Sequence, residues 1–214
     1  MAYSSPPFWQ VLLATVLTAS ELRACQERPK GAAGNKVTEG PAIPSDVNAV
    51  AFRSGSDEIW FSSKSGAVRL REGRPEPKPD KDGKINPADK PVTVFTENEG
   101  LESELLNDII EGLNGQIWIA TNRGIGQYDG ERWRFPKGNY MNVRASALAR
   151  DGEGRVWVGS DRGVMEIVDE NRRHFIGTRT GLLDDKVLNL TVDLRGRVWT
   201  LTEKGISIIE PLAP

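Results

Sequence analysis

Few side chains in this chain are of a type that does chemistry, and their spacing narrows what that chemistry could be. His174 is the only histidine. A histidine acid–base pair, or a metal held by several imidazoles, needs more than one. Cys25 is the only cysteine, so no intrachain disulfide can form. Asp80, Asp82, Asn86 and Asp89 fall at the third, fifth, ninth and twelfth places of an EF-hand type of calcium loop, with Gly83 and Ile85 at the sixth and eighth. Lys78 stands at the leading place, where a carboxylate is needed. Calcium binding is therefore expected to be weak, and no metal is assigned. The alternative is a solvated turn followed by an Asn-capped, Pro-led helical turn. Gly124-Ile125-Gly126 lacks the third glycine and the following helix of a phosphate loop. The remaining set is Lys64, Arg123, Arg162 and Lys204, each one or two residues before a glycine. Four cations at equivalent positions could hold an anionic ligand if the fold gathers them; ordinary charged hairpin turns are the alternative.

The elements that would position them follow a repeat. Trp60, Trp118, Trp157 and Trp199 each lie in a short apolar run, and each is followed six residues later by Gly66, Gly124, Gly163 or Gly205. The tryptophan steps are 58, 39 and 42 residues; removing the 17-residue polar stretch Pro75 to Pro91 shortens the first to 41. A repeat of about 40 residues made of short strands is the mark of a β-propeller blade. In the second repeat, strands are expected at Leu106–Ile110, Ile117–Thr121, Ile125–Tyr128 and Arg132–Phe135, joined by tight turns rich in Gly, Asn and Asp. The fold class is therefore all-β, a propeller of four four-stranded blades in a closed or partial ring. Each tryptophan is expected to anchor the core between neighbouring blades, where its burial contributes on the order of 3 kcal/mol.

The fourth repeat stops at Pro211 without its last strand. Lys36-Val37-Thr38-Glu39 is a candidate to close it, because Val37 precedes Trp60 by 23 residues, as Phe95 precedes Trp118. In a propeller, the loops between second and third strands share a face with the loops between blades. That face would carry the four basic residues together with Glu97, Glu99, Glu102, Glu104, Asp184 and Asp185.

The phrase Val94-Phe95-Thr96-Glu97-Asn98-Glu99-Gly100-Leu101, then Asn107, Gly115-Gln116-Ile117-Trp118-Ile119-Ala120-Thr121 and Tyr128-Asp129-Gly130, resembles the two-component regulator propeller repeat. It recurs as Thr180-Gly181-Leu182, Asn189, Gly196-Arg197-Val198-Trp199 and Gly205-Ile206. The resemblance spans roughly residues 36–210. It implies a propeller of the kind that forms the periplasmic sensing part of hybrid histidine kinases, here in four repeats.

The N-terminal run Phe8 to Leu17 is apolar but too short to span a bilayer. It reads as a signal-peptide core ending at Leu22-Arg23-Ala24-Cys25, a lipobox-like sequence in which Arg23 is atypical. The expected organisation is a signal peptide over 1–24, a tether with a candidate closing strand over 25–44, and propeller repeats over 45–210 with the insertion at 75–91. Cys25 would then be lipidated and hold the protein to a membrane of the bacterial envelope. A net charge of −2 gives no field for nucleic acid. No cofactor is indicated. The expected function is a non-catalytic, sensor-like module that binds an envelope ligand or protein. The alternatives are a propeller lyase or hydrolase, and a partial propeller that assembles with a second copy or another protein.

Overall fold

The structure, a computed structural model, describes residues 43–71, 77–85, 90–136, 143–167 and 173–210. These all belong to one unit that begins at Pro41. The signal peptide, Cys25, the tether and the candidate strand Lys36–Glu39 lie outside the described residues, as do Asn86 and Asp89.

Among the described residues, fifteen strands form four antiparallel sheets in chain order. The first holds β1 (Val47–Arg53), β2 (Glu58–Ser63), β3 (Gly66–Arg71) and β4 (Val92–Phe95). The second holds β5 (Leu106–Glu111), β6 (Ile117–Thr121), β7 (Gly124–Tyr128) and β8 (Trp133–Arg134). The third holds β9 (Ala145–Arg150), β10 (Val156–Ser160), β11 (Gly163–Ile167) and β12 (Arg173–Ile176). The last has three strands among the described residues: β13 (Val187–Val192), β14 (Val198–Thr202) and β15 (Gly205–Ile209). The insertion leaves pairing intact, since Ala67 of β3 still opposes Phe95 of β4.

Glycines make the tight second turn of each blade. At Gly66 and Gly163 the backbone has φ of 120° and 116°, and a Cβ would sit 2.1 and 2.3 Å from the carbonyl oxygens of Phe95 and Ile176. Only glycine fits both the angle and the approach.

The sheets stack through their faces. Strand alternation puts each tryptophan on one face and its two neighbours on the other. Trp60 packs against Leu106, Ile109, Ile117 and Ile119 of the second sheet. Trp118 meets Leu148, Val156 and Val158 of the third, and Trp157 meets Val187, Leu190 and Val198 of the fourth. The first strands β1, β5, β9 and β13 contact one another in that order. Each carries a bulge, and in the first three the extra residue reaches forward to the next blade. Asn48 Nδ2 donates to Leu106 O (2.7 Å), Asn107 Nδ2 to Ala145 O (2.6 Å) and Ser146 Oγ to Val187 O (2.7 Å). The fourth bulge residue is Leu188, 44% exposed, which ends this series of clamps. Among the described residues, no packing of comparable extent joins β13 back to β1.

This corrects the expectation for one tryptophan. Trp60, Trp118 and Trp157 are buried, whereas Trp199 is only half-buried because its face meets no further sheet among the described residues.

A candidate functional site on the loop edge

Each blade has two edges. One carries the turns between first and second strands, and side chains there serve the fold. Asp151 Oδ1 accepts from Glu153 N and Arg155 N, both at 3.0 Å. Its Oδ2 accepts from Arg155 Nε (2.6 Å) and from the indole Nε1 of Trp157 (3.0 Å). Asp193 does the same for Arg195, Arg197 and Trp199. Burial raises the Asp151 pKa, but the Trp157 and Arg155 bonds outweigh it and hold the carboxyl below its ordinary range. The Trp199 indole bond is the largest influence holding Asp193 low. In the first blade Glu58 takes this role, accepting from Trp60 Nε1 at 3.3 Å and pairing with Arg53 (3.0 Å) and Arg71 (2.8 Å). The signal that identifies the clamp is the spacing Asp-x-x-Gly-Arg-Val-Trp, present at 151–157 and 193–199.

An open cleft of about 460 Å³ lies on this edge between the first two blades. Its polar groups are engaged: Ser54 N and Oγ both donate to Glu111, and Arg150 donates to Gly112 O (3.1 Å). It is a seam of the fold rather than a site.

The other edge carries the turns between second and third strands and the connections between blades. Lys64, Arg123, Arg162 and Lys204 all sit there, each exposed. The acids do too, and most are engaged locally. Glu99 completes a capping box with Thr96, Glu104 accepts from Glu97 N (3.2 Å), and Asp185 accepts from Thr178 N (2.6 Å) and Oγ1. Two of the four cations are also engaged. Arg123 lies 3.9 Å from Glu97 and donates to Glu102 O (3.1 Å), and Lys204 lies 3.7 Å from Asp184. Lys64 assists the Ser65 hydroxyl in lowering the Asp46 pKa. The set is thus strung along one edge of four consecutive blades, with Lys64 and Arg162 outside the Glu97 and Asp184 pairs.

Asp80 is used within its own turn, its Oδ1 accepting from Asp82 N and Lys84 N at 2.8 Å. Among the described residues, no group of three His, Cys, Asp or Glu side chains could hold a metal. His174 lies on β12, the outermost strand of its blade, with Nδ1 2.8 Å from Glu166.

The architecture places the protein among the β-propellers. The family model "Two component regulator propeller" matches residues 138–162. The match falls on the third repeat, not on the second and fourth where the longer phrase stands. No curated protein matches the sequence. Several solved structures share the fold. One is the extracellular domain of a protein described as a hybrid two component system in B. thetaiotaomicron, with 17% identity over 84% of this chain and 24% of that one, TM-score 0.62. Another is virginiamycin B lyase from Staphylococcus aureus, 18% identical over 84% of this chain and 61% of that one, TM-score 0.54. A third is a catalytically inactive histidine-to-alanine form of that lyase solved with quinupristin, 17% identical over 82% and 59%, TM-score 0.51. The chain spans 24–29% of the length of the extracellular domains it matches first. Among the described residues, no helix is long and apolar enough to cross a membrane.

Proposed function

We propose that this chain is a non-catalytic binding propeller of a bacterial envelope, held to the membrane through Cys25, whose loop edge receives an anionic ligand or partner. The observation that carries this reading is the charge arrangement of that edge. Lys64 and Arg162 stand exposed there, while Glu97, Glu99, Glu104, Asp184 and Asp185 are engaged by groups of the fold. The two-component regulator propeller repeat favours a sensor-like role. The likeness to extracellular sensor domains points the same way. Arg123 and Lys204 would contribute by exchanging Glu97 and Asp184 for the ligand.

A lyase reading has less support. A solved lyase of this fold is inactive as a histidine-to-alanine form. The single histidine here is on an outer strand and bonded to Glu166, away from the loop edge. The test is a thermal-shift panel of sulfated, phosphorylated and carboxylated ligands against wild type and Lys64→Ala/Arg162→Ala. A ligand that stabilises wild type and not the double variant is the expected result. Equal stabilisation of both would overturn the assignment of the edge.

A further inference from the structure

The two ends of the blade series are unlike, and each matches the other. Every internal junction joins a tryptophan face to a receiving face, the latter formed by residues such as Ile117 and Ile119, or Val156 and Val158. The first blade has a receiving face with no sheet against it among the described residues. Strand register gives that face two continuous cross-strand rows, Val50-Phe61-Val68-Val94 and Phe52-Ile59-Leu70-Val92. All eight residues are apolar, but Val68 is fully buried, and the exposure lies at the outer strands: Phe52 is 67% exposed, Val50 52% and Val94 39%. Exposed apolar surface of this kind, here centred on Val50 and Phe52, marks an interaction site. The last blade ends instead in a tryptophan face, where register aligns Thr191-Trp199-Ile208 and Asn189-Leu201-Ile206. Ile206 is 58% exposed, Leu201 46% and Ile208 45%.

We propose that two copies of this chain associate head to tail, the last blade of each docking its Trp199 face on the Val50–Phe52 face of the other. The occupant is argued from continuity. The contact repeats the junction that the chain makes three times within itself, with Trp199 in the place of Trp60, Trp118 and Trp157. Such a contact is heterologous and builds either a ring or a filament. Because Leu188 replaces the Asn and Ser clamps, the junction between copies lacks their hydrogen bond and rests on apolar contact. It is therefore separable where the internal junctions are not. This inference does not depend on the anionic-ligand reading, which concerns the loop edge.

The test uses the full 214-residue chain in sedimentation velocity from about 1 to about 200 µM. Wild type should move from monomer to dimer across this range. Phe52→Asp on one face and Ile206→Asp on the other should each weaken dimerisation on the order of a hundredfold by burying a carboxylate in an apolar contact. Both side chains are exposed in the single chain, so far-UV circular dichroism should be unchanged; Val50→Asp and Ile208→Asp serve as second variants on the same faces. A mixture of Phe52→Asp with Ile206→Asp should associate where neither does alone, since one intact junction remains. Wild type that stays monomeric throughout would overturn the proposal. So would a dimer sensitive to only one of the two substitutions, which would mean like faces pairing.

Discussion

Asp151→Ala should remove more stability than any surface charge in the molecule. The carboxylate accepts four hydrogen bonds, and the groups it serves differ in what can replace it. Trp157 is 1% exposed, so its indole N–H would be left without acceptor or water, a loss of about 1–3 kcal/mol. Arg155 keeps Glu153 at 3.4 Å and Glu166 at 3.3 Å, so its share is smaller, about 0.5–1 kcal/mol. The Glu153 N–H faces solvent and can turn to water. The total is about 3 kcal/mol, which for a domain of this size lowers Tm by roughly 6–12 °C. Urea unfolding followed by tryptophan fluorescence measures it. Asp193→Ala makes the same deletion in the last blade, but Trp199 is half-buried and the Asp193 side chain 25% exposed. At concentrations that keep the protein monomeric, its effect should be clearly the lesser. A loss below about 1 kcal/mol in Asp151→Ala would refute the claim that this clamp fixes the blade junction. Equal losses in the two variants would refute the argument from burial.

Other outcomes follow from the same reasoning. Glu58→Ala leaves Arg69, 4% exposed and stacked over Trp60 and Phe95, without its carboxylate, and should destabilise by about 3 kcal/mol in the same unfolding assay. Carboxyls at Asp46, Glu58, Glu99, Asp129, Asp151 and Asp193 are held below their ordinary pKa in the folded state, and Asp108 is raised by burial. Groups with depressed folded pKa stabilise above the unfolded value and lose this as pH falls, so Tm should drop steeply below about pH 4. Calorimetry across pH 2–7 checks it, and a flat profile contradicts it. Cys25→Ala should move the protein from the membrane pellet to the supernatant, because acyl chains would provide its hydrophobic attachment. Sedimentation of cell fractions reads this directly.

The repeat was legible because tryptophan and glycine recur for reasons local to each blade. The indole fills the junction, and the glycine makes a turn where a Cβ would strike the next strand. Those two constraints set the strands within a residue or two, and they placed Lys64, Arg123, Arg162 and Lys204 in equivalent turns. What pairs across the edge was not legible. Arg123 with Glu97 and Lys204 with Asp184 depend on how the connection between blades folds, which no period encodes. Trp199 was misjudged for a related reason: the pattern states which face an indole occupies, but whether a sheet lies opposite is a property of the assembly. The Asp151 and Asp193 clamps stood in plain view as spacing. Asp151-Gly152 alone is an ordinary turn signature, and only the folded backbone brings each carboxylate to the indole N–H six residues on.

The central claim is that the loop edge binds and the junctions hold the fold. The direct measurement is quantitative recovery of partners from an envelope extract by immobilised wild type and by Lys64→Ala/Arg162→Ala. The two proteins should unfold within about 0.5 kcal/mol of each other, since both positions are exposed turns. The account predicts that a partner retained by wild type at low salt is lost from the double variant. Equal recovery by both would contradict it and leave the basic residues as solvated turns on an otherwise unchanged propeller.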